Sequence, residues 1–164
     1  MGYWLMKSEP DEFGIDDLER VGVEPWDGIR NYQVRNMMRD EMKKGDLAFF
    51  YHSNAKPPGI VGIMRIEKEA YPDSCAFDPE DKHYDPKSDP DNPRWLRVDV
   101  AFEEKFDDIL TLDWLKQQPE LADCPLVRRG NRLSVMPLTE DQWDFILAHA
   151  RRGQAQGGTN RGSA

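Results

Sequence analysis

The sequence predicts an α+β fold, a small mixed β-barrel with helices packed around its outside. Strand-like segments outnumber long helical ones and follow the order β-α-α-β-β-loop-β-α-β-α. A length of 164 residues fits one domain with a single core, and no internal repeat divides it. Hydrophobic residues make up only 38% of the chain, so five Trp, seven Phe and five Tyr must supply much of the core volume.

Tyr3 to Lys7 reads as the first strand, stopped by Ser8-Glu9-Pro10. A short helix follows around Ile15 to Arg20. Asn31 to Lys43 reads as a second helix, with Val34, Met38 and Met42 near a four-residue spacing and Gly45 as its stop. Asp46 to His52 is a dense aromatic strand, Ser53 to Gly59 a turn, and Ile60 to Glu69 the partner strand of a hairpin-like unit. Tyr71 to Pro93 is a long loop rich in Asp and Pro, and a loop of that length within a compact domain is expected to be functional or disordered. Arg94 to Phe106 alternates cleanly: Leu96, Val98, Val100 and Phe102 face the core. Trp95, Arg97 and Asp99 share the opposite face, where Trp95 is either ligand-facing or covered by a helix.

Leu112 to Gln118 is a short helix ended at Pro119, and Arg132 to Met136 is the last strand. Thr139 and Gln142 form a capping-box pattern before a helix whose Trp143, Ile146, Leu147 and Ala150 make one core-facing stripe. The domain therefore spans residues 1–150, and residues 151–164, with no apolar residue beyond Ala, are expected to be a disordered tail.

The net charge of −9 argues against broad, non-specific duplex binding, which depends on neutralising phosphates. Base is nonetheless concentrated at Arg30, Arg35 and Arg39, and again at Arg128, Arg129 and Arg132, so a local basic patch suits a selective binder. No run of about 18 apolar residues is present, so no membrane partner is expected. The N-terminus is too short and polar for a signal peptide. Cys75 and Cys124 lack metal-ligand spacing and read as free thiols of a reducing, cytoplasmic compartment.

Catalytic motifs are absent: no phosphate-binding glycine loop, nucleophile elbow, zinc-protease helix or zinc-deaminase pattern occurs. His52, His83 and His149 are scattered. The acidic loop lacks the Gly and terminal Glu of a calcium loop. Neither cofactor nor metal is expected.

Binding chemistry is better represented. In Trp26-Asp27-Gly28-Ile29-Arg30-Asn31-Tyr32-Gln33-Val34-Arg35-Asn36, aromatic rings, carboxamides and arginines are interleaved. They suit a flat polar heterocycle that also carries phosphate: Trp26 and Tyr32 offer ring faces, Asn31 an edge reader, and Arg30 and Arg35 phosphate contacts. The plainer reading is a loop entering a helix, with Trp26 as a core anchor and the arginines on a solvated face, and this window alone favours it. Polar turns at Lys7-Ser8-Glu9, Trp26 to Tyr32, His52-Ser53-Asn54 and Arg128 to Ser134 fall at strand ends, which gather at the mouth of a small barrel. Turn chemistry accounts for each Ser and Asn separately, but less well for the Trp and Arg beside them.

Several long blocks carry a family resemblance: Tyr3 to Pro10, Trp26 to Asn36, Phe49 to Asn54, Pro58 to Gly62, Ala70 to Asp73, Tyr84 to Ser88, Pro93 to Trp95 and Arg132 to Val135. They closely resemble the EVE domain family, from about Tyr3 to about Leu147. The resemblance implies a PUA-like pseudobarrel related to YTH domains. It also implies a non-enzymatic module that reads a modified base in DNA or RNA, with modified cytosine in DNA the leading ligand. Lys7 and Ser8 would lie beside the pocket, Trp26 would form its aromatic wall, and Asn31, Ser53 and Asn54 would hydrogen-bond the base edge. Tyr71, Pro72 and the loop after them would close the opposite side. From residue type and charge clustering, Arg30, Arg35, Arg128 and Arg132 are the expected phosphate contacts. YTH-like readers carry a strongly basic surface, whereas this chain is acidic, so weak binding to unmodified strands is expected.

Three alternatives stay open. One is an enzyme acting on a modified nucleotide or base, with Glu9 or Asp27 as its general base. Another is an RNA-binding module that reads N6-methyladenine. The third is an interaction module that contacts a protein through the acidic loop or the tail. The family implies a cytoplasmic protein in prokaryotes and a nuclear one among eukaryotic relatives.

Overall fold

Strands buried on both faces must be apolar at successive positions, and the first and third strands obey this rule. In the computed structural model, which describes residues 2–150, β1 (Tyr3–Ser8) buries Trp4 and Met6 on one face and Leu5 on the other. β3 (Leu47–His52) does the same with Ala48 and Phe50 against Phe49 and Tyr51. The two strands pair in parallel, from Tyr3 opposite Leu47 to Ser8 opposite His52.

Around this centre lie β2 (Val23–Trp26), β4 (Gly59–Pro72), β5 (Leu96–Thr111) and β6 (Val135–Leu138), all in antiparallel pairings. The sheet order is β2-β5-β4-β3-β1-β6. β4 and β5 are the long strands, and their pairing shifts register repeatedly; such bulges bend strands and increase twist, which curls the sheet into a barrel-like form. Gly59 and Gly62 permit the closest approach, since a Cβ there would meet the carbonyl oxygens of Leu110 and Glu104 at 2.3 and 2.4 Å.

Helices α1 (Ile15–Val21) and α2 (Tyr32–Asp40) cover the Trp4/Phe50 face; α3 (Leu112–Lys116) and a terminal helix, α4 (140–150), cover the Leu5/Phe49 face. The predicted capping box of α4 is formed: Thr139 N–H donates to Gln142 Oε1 at 3.0 Å and Gln142 N–H donates to Thr139 Oγ1 at 3.1 Å. Trp143, Ile146 and Ala150 are buried behind it, with Leu147 partly covered. No helix among the described residues is long and apolar enough to cross a membrane.

Several boundaries differ from expectation. β2 is an additional strand; Pro25 within it removes a ladder donor, which only an edge strand tolerates. α2 ends at Asp40 rather than Lys43, and Gly45, at φ +94°, instead serves the tight turn into β3. β4 continues through Tyr71 and Pro72, and β6 starts at Val135, leaving Arg132 to Ser134 as a lead-in segment. The long loop is held by its own acids. Asp78, Asp81, Asp85 and Asp89 each accept from the backbone N–H two residues on, at 2.8–3.0 Å, which gives the Asp-rich composition a turn-forming role. The expected tail, 151–164, lies outside the described residues.

Candidate functional site

The polar turns at the strand ends meet around one cavity of about 620 Å³. Lys7, Ser8 and Glu9 enter from β1, and Glu24 to Ile29 from the end of β2 and the turn after it. Ser53 comes from the turn after β3 and Arg132 to Ser134 from the approach to β6. Glu12 and Phe13 complete one side, and Lys82 and His83 bring in the long loop.

Each wall has a local cause. Lys7 N–H donates to the Ser134 carbonyl at 2.8 Å and Ser53 N–H to the Ser8 carbonyl at 3.0 Å, so backbone bonds join three of the turns. The Ser8 hydroxyl donates to the Phe13 carbonyl at 2.6 Å, leaving its oxygen as an acceptor. Trp26 packs edge-on against Phe50, with ring centroids 5.4 Å apart, and so joins the cavity to the core. Gly28, at φ +78°, lets the His83 ring lie against the backbone; a Cβ there would stand 2.6 Å from His83 Cε1.

The long loop is clamped to this turn by a buried carboxylate. Asp73 accepts from Gly28 N–H and Arg30 Nη1, each at 3.0 Å, and from Cys75 N–H at 3.0 Å. Burial would raise its pKa, but the Gly28, Arg30 and Cys75 hydrogen bonds outweigh it and hold the carboxyl below its ordinary range. Arg30 also donates from Nε and Nη2 to the His83 carbonyl, at 2.9 and 2.6 Å.

The cavity has mixed charge. Glu9, Glu12, Glu24 and Asp27 face Lys7, Lys82 and Arg132, and Glu12 pairs with Lys82 at 2.7 Å. That hydrogen bond and the Lys82 charge lower the Glu12 pKa. Desolvation, followed by repulsion from Asp27, Asp17 and Asp99, raises that of Glu24. Burial lowers the pKa of Lys7. The Cys75 thiol, donating to Asp27 Oδ2 at 3.3 Å, is pushed up to about 12 by burial and by that carboxylate, so it is no thiolate at neutral pH.

Of the site residues expected from the sequence, Lys7, Ser8, Trp26, Ser53 and Arg132 are brought together here. The others stand elsewhere. The Asn31 side chain accepts from Val34 N–H at 3.0 Å as the N-cap of α2, and Tyr32 lies on Trp95 with centroids 4.8 Å apart. Asn54 donates to Glu9, one of the lining residues. Tyr71 binds Asp99 and, with Pro72, pairs with β5. Arg35 donates to Asn36 Oδ1 and to the Arg94 carbonyl, while Arg128 lies over a separate cavity. Trp95 is buried beneath Tyr32, the first residue of α2, and donates from Nε1 to Asp85 Oδ2 at 2.6 Å. His52 Nε2 accepts from Ile15 N–H at 3.1 Å and anchors α1.

Glu12, Phe13, Glu24, Pro25, Lys82 and His83 are lining residues that the sequence did not single out for the site. The resemblance placed the long loop at the pocket without naming its residues; His83 is tied there by Arg30 and Lys82 by Glu12, each more than fifty positions away.

A family model of the EVE domain matches residues 2–149. The chain belongs to the EVE domain family. Thymocyte nuclear protein 1 of Danio rerio is 48% identical to this EVE domain over 88% of the chain and 70% of the relative. A protein of Pseudomonas syringae, solved by crystallography, is 52% identical with a TM-score of 0.88, covering 90% of this chain and 99% of that one. The human THYN1 protein, solved in complex with DNA containing 5-methylcytosine, is 43% identical with a TM-score of 0.83 over 92% of this EVE domain and 98% of that chain.

Proposed function

We propose that this EVE domain binds nucleic acid carrying a modified base, modified cytosine in DNA foremost, by seating the base in the cavity beside Trp26 without chemical turnover. The observation that carries this reading is the human relative, 43% identical and solved with 5-methylcytosine-containing DNA. The cavity supports it. At about 620 Å³ it falls within the range of small-molecule pockets, roughly 300–1,000 Å³. Trp26 offers an aromatic wall backed by Phe50. The carboxylates of Glu24 and Asp27 match the exocyclic amino group of cytosine, which donates hydrogen bonds.

Extruding a base from a duplex costs a few kcal/mol, and stacking on an aromatic ring returns about 1–3 kcal/mol. Discrimination then rests on the fit of the added group. Two observations support binding over catalysis. Ser8 donates to a backbone carbonyl instead of a general base, and the Cys75 thiol stays protonated. DNA as ligand sets the compartment, which is the cytoplasm in a prokaryote.

The test is a fluorescence-anisotropy titration of labelled single strands and duplexes. Each carries one unmodified, methylated or hydroxymethylated cytosine, or one N6-methyladenine. A preference of about tenfold, roughly 1.4 kcal/mol, for modified cytosine is expected. Uniformly weak, salt-sensitive binding across all strands would overturn the reading, and preference for N6-methyladenine would replace its ligand.

A further inference from the structure

Lys7 lines two cavities, and their chemistry differs. The first mixes acids with bases. The second, about 510 Å³, is lined by Lys7, Lys116, Arg128 and Arg129 together with Tyr51 and Asn131, and no carboxylate is among its lining residues. On a chain of net charge −9 this is a marked local reversal. None of these four cations forms an ion pair with a carboxylate among the described residues, so their charge is not neutralised locally.

The turn that carries the two arginines, and the Arg128 and Lys7 side chains, are also held in place. Asn131 Nδ2 donates to the Pro125 carbonyl at 2.6 Å and its Oδ1 accepts from Leu133 N–H at 3.1 Å, which fixes the turn that carries both arginines. Arg128 Nη2 donates to the Asp123 carbonyl at 3.3 Å. The Lys7 ammonium lies 5.6 Å from the Tyr51 ring centroid. Burial pushes the Tyr51 hydroxyl up to about 12, so it stays a donor at neutral pH.

We propose that the second cavity is a phosphate site that takes the sugar–phosphate backbone beside the nucleotide in the first cavity, with Lys7 as the group common to both. The assignment rests on the base-binding reading for what fills the first cavity. Its own ligand chemistry is phosphate: guanidinium and ammonium donors, a phenol and a carboxamide around a space without acids. Phosphate contacts of this kind position a strand and carry no sequence information. The base cavity selects; the second cavity holds.

The experiment measures the salt dependence of affinity for a labelled single strand with one modified cytosine. It uses the full chain, an Arg128→Ala/Arg129→Ala variant and a control, Arg20→Ala/Arg39→Ala, that removes equal charge from paired surface positions. For every phosphate no longer neutralised, the log–log salt slope should become shallower by about 0.7 on a single strand. The Arg128/Arg129 variant should therefore bind at least tenfold more weakly at low salt with a shallower slope, while its ratio of modified to unmodified affinity is unchanged. Lys7→Met should lower both the affinity and that ratio.

An unchanged slope in the Arg128/Arg129 variant, or an equal change in the control, overturns the proposal. So does a modified mononucleotide that binds as tightly as the strand, because that describes a free-nucleotide site. If the parent protein shows no preference for any modification, the base-binding reading fails, yet the slope comparison still decides the phosphate site.

Discussion

Trp26 and Trp143 are both buried, at 7% and 2% exposure, yet they belong to different kinds of region. Trp143 is stacked against both Phe49 and Tyr3, with centroids 3.9 and 4.9 Å away. Trp26 has one aromatic partner among the described residues, Phe50, in an edge contact; it belongs to the apolar cluster of Trp4, Met6 and Val98 and also borders a cavity ringed by polar turns. Burial alone does not separate the two rings; the cavity beside one of them does.

The largest effect should come from breaking the Trp143 end. Trp143→Ala removes the ring stacked against two aromatic neighbours and is expected to cost about 3–5 kcal/mol of stability. Denaturant unfolding measures the loss, and the fraction that remains folded should bind oligonucleotides like the parent. Reduced affinity in that folded fraction would mean that the two regions are not separable.

Next is the clamp that holds the long loop at the Trp26 end. Asp73→Asn replaces a buried carboxylate that accepts three hydrogen bonds, and the expected cost is about 1.5–3 kcal/mol. Because the folded-state pKa of Asp73 lies below the unfolded value, near 3.9, its contribution is fully present above that value. It fades as pH falls through the folded pKa. Parent stability should therefore decline more steeply than that of Asp73→Asn as pH falls below about 4. Parallel profiles from unfolding curves at pH 7, 5 and 3 would refute the assignment.

These two regions were unequally legible in the sequence. The Trp143 end was read correctly because its signals are local: a capping box three residues apart and a stripe at helical spacing. The doubly apolar runs of β1 and β3 announced themselves in the same way. At the Trp26 end the decisive contacts are distant. Arg30, expected at a phosphate, has Asp73 and the His83 carbonyl as its partners, 43 and 53 positions away. Asn31 has the composition of a base reader but spends its side chain on a helix cap, a short-range competition that residue type cannot reveal. β2 escaped because four residues around a proline do not look like a strand until β5 lies beside them. Convergence of the polar turns was inferable from their places at strand ends; which side chains face the cavity was not.

Trp26→Leu tests the site end more gently than alanine, since it keeps an apolar body against Phe50 while removing the indole. If the base stacks there, affinity for the modified strand should fall by the worth of one stacked ring, about 1–3 kcal/mol, and the modification preference should shrink with it. Anisotropy titration against matched strands reads both quantities. An unaltered preference would remove Trp26 from the base wall and leave it as a core residue, like Trp143.

The smallest effect is expected at the cap of α4. Thr139→Ala removes one of the two reciprocal bonds of the α4 capping box and should cost about 1 kcal/mol, a drop of about 2–4 °C in Tm for a chain of this size. α4 packs on the Trp143 face and contributes no residue to the Trp26 cavity. The affinity for modified strands should therefore stay at the parental value. Sites that share no partner add, within about 0.3–0.5 kcal/mol, so Thr139→Ala and Trp26→Leu combined should lose the sum of their separate stabilities. A coupling beyond that margin would show that the α4 face and the Trp26 cavity share strain through the sheet between them.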